Sequence, residues 1–233
     1  MPRYLILKLD GVMQGWGGHT YEDWRPSELF PTRSGLLGLV GACLGIDRRN
    51  TDKLNVLAAS LHFTVRADHR TDRNGDRFES LRLCDYHTIL NARKVDGSKN
   101  KNPIQSYRWY LFDAPFTIAI EELDGAPISL EDIAAAIRKP VYTPFLGRRS
   151  CPLSRPLLDP IEKPTGKPFE AISAKEALEK SGSGGSVIYS ESKDMSSNQK
   201  MRMRDVPLYG RTRRFSTREV FIHAGLEGDL VPK

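Results

Sequence analysis

The sequence contains few cysteines and no long apolar run. Its three cysteines, Cys43, Cys84 and Cys151, are odd in number and lie far apart, so their spacing is that of neither a disulfide framework nor a metal site. We therefore expect a cytoplasmic protein with reduced thiols and with neither a metal nor another cofactor. Because no apolar stretch approaches the roughly 20 residues of a membrane span, and because the chain begins directly with a strand pattern, we expect neither a membrane anchor nor a signal peptide.

The motifs of common enzyme classes are also missing. The sequence has no Walker loop, nucleophile elbow, Cys–His signature or carboxylate pair with metal-binding spacing, and the glycines of residues 11–18 do not match a dinucleotide fingerprint. His87 beside Tyr86 suggests the general acid or base of a metal-independent ribonuclease. A single histidine in a strand is more commonly structural. The sequence therefore favours a protein without catalytic residues and leaves the ribonuclease as the alternative.

Positive charge is what the chain has in excess. Its 233 residues carry a net charge of +6, and 39% of them are hydrophobic, enough for one large domain or two small ones. The excess favours a polyanionic partner such as RNA or DNA. It is densest late in the chain, where Asp205 is the only acid among the cations Lys200, Arg202, Arg204, Arg211, Arg213, Arg214 and Arg218. Such a run is either a solvated face or a contact with RNA or an acidic neighbour.

Residues 30–45 predict a helix with glycines in its interior. Each interior glycine costs roughly 1 kcal/mol relative to alanine, so a packing or binding reason is expected. The glycines concerned are Gly35, Gly38 and Gly41. Thr32 or Ser34 would cap the helix, and Arg33 lies beside its free N–H groups. Two hypotheses follow: tight packing of the glycine face against another element, or a helix start that binds phosphate.

Alternating and helical patterns indicate the fold class. Strand patterns cover residues 4–9, 62–66, 81–90 and 116–123, and helix patterns cover residues 51–61 and 129–138. This order of elements is typical of an α+β, ferredoxin-like (RRM-like) sheet, which is a common platform for RNA. After residue 140, frequent prolines predict loops, and residues 180–199 predict a mobile surface loop because they are rich in serine and glycine.

A polar, basic segment at residues 91–102 lies between two strand-like runs. Asp96 followed by Gly97 predicts the tip of a hairpin. Aromatic and basic side chains flank it, namely Tyr86, His87, Tyr107, Arg108, Trp109 and Tyr110. The hairpin would either reach a nucleic acid or a neighbouring subunit, or be an ordinary solvated hairpin whose aromatic rings cover the core.

A second concentrated segment spans residues 142–152. Gly147 allows a sharp turn, and Arg148 and Arg149 offer planar guanidinium groups that suit phosphate. Ser150 adds donors, and Tyr142 offers a ring for stacking on a base. The alternative is a solvated basic loop.

Three of these segments resemble a known family. Residues 30–38, 85–88 and 142–153, supported by residues 4–7 and by Gln14 with Trp16, closely resemble the fifth Cas family of CRISPR-associated proteins, in the form found in the type I-E Cascade complex and belonging to the RAMP superfamily. The resemblance weakens after Leu158.

The resemblance implies a domain organisation and a function. The expected fold is a ferredoxin-like palm of residues 1–85 and 111–158, a protruding hairpin thumb of residues 86–110, and a C-terminal β-rich portion of residues 159–233 with the mobile loop near residues 180–199. The expected function is to bind and cap the 5′ handle of CRISPR RNA in an antiviral complex, without cleavage. In this subtype another subunit, CasE, cuts the precursor RNA, whereas a relative in subtype I-C does the cutting itself.

The resemblance also implies partners and site residues. The thumb would contact the backbone subunit CasC, the large subunit CasA would lie nearby, and target DNA would be met only indirectly through the complex. The expected RNA-binding residues are Gln14, Trp16, Arg33, Ser34, Tyr107, Arg108, Tyr142, Arg148, Arg149 and Ser150. The expected subunit contacts of the thumb are Arg93, Lys94, Lys99 and Lys101.

Overall fold

The computed structural model describes residues 1–18, 20–71, 73–74, 76–78, 80–158, 166–182, 185–192, 199–210, 212 and 214–224. Its helices are α1 (Arg33–Cys43), α2 (Thr51–Ser60), α3 (Leu130–Arg138) and α4 (Ala174–Lys180). Its strands are β1 (Arg3–Leu9), β2 (Met13–Gln14), β3 (Trp24–Arg25), β4 (Leu61–Asp68), β5 (Arg70–Thr71), β6 (Arg77–Phe78), β7 (Leu81–Ile89), β8 (Ile104–Phe112), β9 (Phe116–Glu122), β10 (Phe169–Glu170), β11 (Gly185–Ser190), β12 (Gln199–Leu208) and β13 (Arg214–Ala224).

One large antiparallel sheet organises the chain. Among the described residues its strands follow the order β10-β1-β9-β4-β11-β13-β12. α1 and α2 connect β1 to β4, and α3 lies between β9 and β10 along the chain. The predicted mixed α+β class is therefore confirmed, as are the strand patterns at residues 4–9, 62–66, 81–90 and 116–123.

Alternation along the central strands divides the core between the two faces of this sheet. In β1, Leu5, Leu7 and Leu9 join a large buried cluster that also contains side chains of α1 and α3. Tyr4 and Ile6, which point the other way, pack in a smaller cluster with α4. The sheet is therefore covered by helices on both faces. No helix of the described residues is long and apolar enough to cross a membrane.

Helix α1 begins as predicted but uses its glycines differently. Thr32 is the N-cap, and its hydroxyl accepts a hydrogen bond from the Gly35 N–H at 3.2 Å. A Cβ at Gly35 would lie 2.8 Å from the ring of Trp16, so this position needs glycine. Gly41 has only ordinary van der Waals neighbours, and Gly38 faces open space. The expected single close-packed glycine face is therefore not present, because only Gly35 is approached closely.

The hairpin of β7 and β8 belongs to a second, smaller sheet. β2 pairs antiparallel and β3 parallel with β8, while β7 pairs along the whole of β8. At the tip, the Lys94 N–H donates to the carbonyl of Ser98 at 2.8 Å, and Gly97 has φ +84°. The hairpin tip is therefore where the sequence predicts it, although the paired strands already begin at Leu81 and extend to Phe112, beyond the expected thumb of residues 86–110.

The region predicted as a mobile loop near residues 180–199 contains a strand instead. β11 lies inside the large sheet, with β4 on one side and β13 on the other. Val187 and Ile188 are buried there. Pairing on both sides overrides the weak local preference of this serine- and glycine-rich segment. Residues 183–184 and 193–198 of the predicted loop lie outside the described residues.

Candidate nucleic-acid interface

Arg33, expected to bind phosphate, is bonded within the protein. Its side chain forms an ion pair with Glu191 and donates to the carbonyls of Ala58 at 2.8 Å and Leu61 at 3.1 Å. The residue is only 8% exposed, and its guanidinium lies 5.7 Å from the centre of the Phe63 ring. These contacts join α1 to the end of α2, so the Arg33 side chain has a structural role.

The anion at the start of α1 is supplied by the chain itself. The Asp205 carboxylate accepts a hydrogen bond from the Arg33 backbone N–H at 2.7 Å. Arg218 donates to both oxygens of the same carboxylate, at 2.7 and 2.8 Å. A carboxylate at a helix start is favoured by the free N–H groups and the helix dipole. The expected phosphate site is therefore filled by Asp205, and Ser34 is half-buried beside it.

We call Arg33, Glu191, Asp205 and Arg218 the charge cluster. Its two guanidinium and two carboxylate groups balance, with Arg218 also 3.5 Å from Glu191. Burial raises the pKa of the Glu191 carboxyl, and the nearby arginines oppose this shift. Burial alone would lower the pKa of Arg218, but the bonds to Asp205 and the charge of Glu191 raise it overall. The cluster ties α1 to β12, β13 and the end of β11.

Gln14 and Trp16 are fully buried. The indole N–H of Trp16 donates to the Gln14 side-chain oxygen at 3.0 Å, and the Gln14 amide donates to the carbonyl of Ala114 at 2.6 Å. Both polar groups are satisfied inside the protein. These two side chains were expected to contact RNA, but they are buried and hold the loop after β1 in place.

Arg148 bridges two loops. Its guanidinium donates to the carbonyl of Arg25 at 2.7 Å, approaches that of Pro26 at 3.4 Å, and lies 4.6 Å from the centre of the Tyr110 ring. A charge-assisted bond and a cation–π contact both stabilise this arrangement. Arg148 is therefore held mainly by contacts inside the protein rather than presented to solvent.

The turn before Arg148 packs tightly against the loop after β1. Gly147 has φ +78°, and a Cβ on it would lie 2.2 Å from the Gly15 carbonyl oxygen. The Gly15 N–H donates to the carbonyl of Leu146 at 3.1 Å. Beyond this turn, Arg149 and Ser150 are exposed. Of the two adjacent arginines, only Arg149 is presented to solvent.

An aromatic row crosses the smaller sheet. The ring of Trp24 stacks on that of Tyr107, with centroids 4.9 Å apart and planes 17° apart, and Tyr86 lies 5.2 Å from Tyr107 on the other side. Trp24 and Tyr86 are each 51% exposed and Tyr107 is 39% exposed. Next to the row, the guanidinium of Arg82 lies 5.3 Å from the Trp109 ring. We call Trp24, Tyr107 and Tyr86 the aromatic row.

Trp24 was missed by the sequence interpretation, which assigned stacking to Trp16 instead. The signal available was a tryptophan followed by Arg25 in a polar loop, where a buried tryptophan is less expected than in the apolar surroundings of Trp16. Only the pairing of β3 with β8 brings Trp24 beside Tyr107.

Two other expected RNA contacts are Arg108 on β8 and Tyr142 in the loop after α3. Arg108 is half-buried, and its guanidinium donates to the Ser106 hydroxyl at 3.1 Å. Tyr142 is 49% exposed, and its backbone N–H donates to the carbonyl of Ala42 at the end of α1. Both residues are therefore partly accessible. Arg108 follows Tyr107 in β8, so its side chain points to the face opposite the aromatic row.

The residues of the ribonuclease hypothesis do not converge. Nδ1 of His87 lies 3.1 Å from the Asp85 carboxylate, and both side chains are about half exposed. Tyr86 is the neighbour of His87 along a strand, so its side chain points to the opposite face of the hairpin, where it meets Tyr107. The side chains of Tyr86 and His87 therefore lie on opposite faces of the hairpin.

The remaining cations divide between surface and core. The tip residues Arg93, Lys94, Lys99 and Lys101 are all exposed, and Arg93 pairs with Lys99 in a backbone bridge. In the late basic run Arg202 and Arg204 are exposed, whereas Arg218 belongs to the charge cluster. Arg211 and Arg213 lie outside the described residues. Exposed cations and exposed aromatic rings together suit a single-stranded polyanion.

Comparison with known proteins identifies the family. The model of the CRISPR-associated protein family Cas5 matches residues 4–221. The CRISPR system Cascade subunit CasD of Escherichia coli (strain K12) is 43% identical over 228 residues, which are 97% of this chain and 97% of that protein.

Solved structures agree with this match. One described as a CRISPR RNA-guided surveillance complex has a TM-score of 0.70 and 26% identity, covering 95% of this chain and 89% of that chain. Another, described as a crystal structure of a Cas protein, has a TM-score of 0.61 and 27% identity, covering 95% and 94%. The chain therefore belongs to the Cas5 family of CRISPR-associated proteins.

Proposed function

We propose that this chain is a subunit of a type I-E Cascade antiviral surveillance complex, where it binds and caps the 5′ handle of CRISPR RNA, supports assembly and does not cleave RNA. The observation that carries the proposal is the 43% identity, over nearly the full length of both chains, to a protein named as a Cascade subunit. Exposed aromatic and basic groups on the hairpin and the nearby loops support it.

The proposed organisation is a ferredoxin-like palm of residues 1–85 and 111–158, a thumb of residues 86–110, and a C-terminal portion of residues 159–233. The spatial order β10-β1-β9-β4 supports the palm, because it is the fourth-first-third-second order of a βαββαβ unit. The exposed hairpin supports the thumb. The C-terminal strands extend the same sheet, so we expect this portion to fold together with the palm.

The RNA contacts are proposed for the accessible members of the expected set. These are Tyr107, Arg108, Tyr142, Arg149 and Ser150. Rings would stack on unpaired bases, and guanidinium groups would bind phosphates. The buried members of the expected set, among them Gln14, Trp16 and Arg33, would act by holding the surface in place.

The proposed partners are the CRISPR RNA handle, the backbone subunit CasC and the large subunit CasA, with target DNA met only through the complex. The exposed tip with Arg93, Lys94, Lys99 and Lys101 would contact CasC. The tip contributes no side chain to the buried clusters, so its residues are available for contact with a neighbouring subunit.

Filter binding of a labelled repeat RNA by the full chain tests the handle-binding role. Binding should weaken as salt rises, with a log–log slope of about 0.7 for each phosphate contact on single-stranded RNA. Affinity that does not change between low and high salt would contradict the proposal. Native mass measurement of a complex reconstituted with the other subunits tests the assembly role.

The alternative function is a metal-independent ribonuclease, favoured by the contact between His87 and Asp85. A carboxylate at that distance can orient an imidazole as a general base. Incubating labelled repeat RNA with the chain in a chelator decides between the two functions. We expect intact RNA for both the parent chain and His87→Ala, and a site-specific cut that is lost in His87→Ala would establish the ribonuclease.

A further inference from the structure

The aromatic row has a regular origin in the smaller sheet. Trp24 pairs with Tyr107 in the register of β3 and β8, and Tyr107 pairs with Tyr86 in the register of β8 and β7. Three adjacent strands thus place one ring each at the same level and on the same face of the sheet. The rings are already in contact, so a ligand would meet them without first ordering them.

The row is exposed and ends at an edge. Aromatic side chains usually bury most of their surface, yet each of these three leaves between 39% and 51% of its surface accessible. Among the described strands, β3 lies at an edge of the smaller sheet, and its Trp24 is bridged to the exposed Tyr21 of the preceding turn. The row is therefore open to planar groups of a ligand at this edge.

Charge around the row differs between its two ends. Arg82 is on the same face of β7 as Tyr86 and four residues away, which is about 13 Å along a strand. Its guanidinium lies against Trp109. Glu22 and Asp23 lie in the turn before Trp24. A polyanion would therefore run along the hairpin side, where Arg82 lies, with planar groups directed at the rings.

We propose that the aromatic row is a stacking surface for unpaired bases of single-stranded RNA and that Arg82 binds the accompanying backbone. This inference rests on the proposed function and names the surface at which the handle is held. Flat rings accept any base, because every base has a π-face, and each stacked base strengthens binding. The chain's net charge of +6 attracts the same ligand.

The experiment compares two RNAs that differ only in their bases. One is the 5′ handle RNA of the same organism, and the other is an abasic ribose-phosphate chain of equal length and charge. The full chain should bind the handle more tightly than the abasic chain. Trp24→Ala should lower affinity for the handle by about 5-fold to 100-fold and leave the abasic chain unaffected. Its salt slope should not change, whereas Trp24→Phe should keep most of the affinity.

Two matched variants separate stacking from general effects. Ile172 is 75% exposed and lies just after β10 of the large sheet, away from the row, so Ile172→Ala should change handle affinity by less than about 2-fold. Arg82→Ala should reduce the salt slope by about 0.7 while keeping the preference for the handle over the abasic chain. Thermal melting of each variant verifies that it is folded.

The possible results separate failure of the stacking surface from failure of the proposed function. If the parent chain binds both RNAs equally, or if Ile172→Ala and Trp24→Ala have the same effect, the handle is bound without the stacking surface and the inference is wrong. If Trp24→Ala binds the handle normally but fails to join the reconstituted complex, the row is a protein contact instead. If the parent chain binds no handle RNA, the proposed function fails and the inference fails with it.

Discussion

The charge cluster at the start of α1 and the hairpin β7–β8 both contain arginines but use them in opposite ways. In the cluster, Arg33 is only 8% exposed and is bonded to groups of the chain itself. On the hairpin, Arg82 and Arg93 are exposed, and Tyr86 and Tyr107 are 51% and 39% exposed, with surface left for a partner. A residue's type therefore does not decide whether it serves folding or binding.

The difference between the two regions arises from distant parts of the chain. The carboxylate that pairs with the Arg33 guanidinium belongs to Glu191, and the carboxylate that accepts from the Arg33 backbone N–H belongs to Asp205, both more than 150 residues later. No comparable segment covers the aromatic row among the described residues. A cation or ring that finds its partner within the chain stabilises the fold, and one that does not is available to another molecule.

The largest effect is expected from Asp205→Ala, which breaks the charge cluster. The change leaves Arg218 and the start of α1 without their carboxylate in a buried site. Removing one partner of a buried ion pair typically costs about 3–5 kcal/mol of unfolding free energy. Urea denaturation of the full chain, followed by circular dichroism, measures this cost.

The control for Asp205→Ala is Glu219→Ala. Glu219 pairs with Lys200 at 2.8 Å, but both side chains are largely exposed. Loss of a surface pair should cost only about 0–1 kcal/mol. Equal destabilisation by the two substitutions would show that the cluster has no special role in stability.

A second comparison contrasts two glycines with similar backbone angles. Gly147→Ala should cost about 3 kcal/mol of stability, because a Cβ would overlap the Gly15 carbonyl in addition to the strain of positive φ. Gly97→Ala, at φ +84° in the hairpin tip with open space around it, should cost only about 1 kcal/mol. The midpoints of thermal unfolding give the ranking, and similar midpoints would contradict the close approach of the two loops.

A third comparison separates the adjacent arginines of the loop after Gly147. Arg148→Ala should destabilise the fold by about 2 kcal/mol, since it loses the bond to Arg25 and the contact with Tyr110. Arg149→Ala should leave stability unchanged and weaken handle binding. Lys139→Ala, which removes an exposed charge at the end of α3, is its control. If Lys139→Ala weakened handle binding as much as Arg149→Ala, the effect would be one of net charge.

The smallest effect on stability is expected from the hairpin tip. Replacing residues 93–101 by a short Gly-Ser turn should change the unfolding free energy by less than about 0.5 kcal/mol, since the tip residues are exposed. Assembly with the neighbouring subunit should weaken more than handle binding does. Native mass measurement of the reconstituted complex is the test, and normal assembly would argue against a thumb contact.

Strongly patterned elements were predictable from the sequence. β1 and β9 alternate clearly, α1 has its cap at Thr32, and Gly97 marks the hairpin tip. β11 was not predictable, because its local composition favours a loop and only the neighbouring strands make it a strand. Trp24 was not recognised as a surface residue, because a two-residue strand is too short to show a periodic pattern.

The sequence by itself determined the mixed α+β class, the excess of positive charge, the hairpin and the resemblance to a family of CRISPR-associated proteins. Local patterns suffice for these features, because periodicity, capping and turn residues act over a few neighbouring positions. Only the tertiary structure decided which arginines and aromatic rings are buried. Arg33 and Arg149 were both expected to bind phosphate, yet the side chain of Arg33 pairs with Glu191 and that of Arg149 is exposed to solvent. Burial depends on contacts between distant segments, which the order of residues does not display.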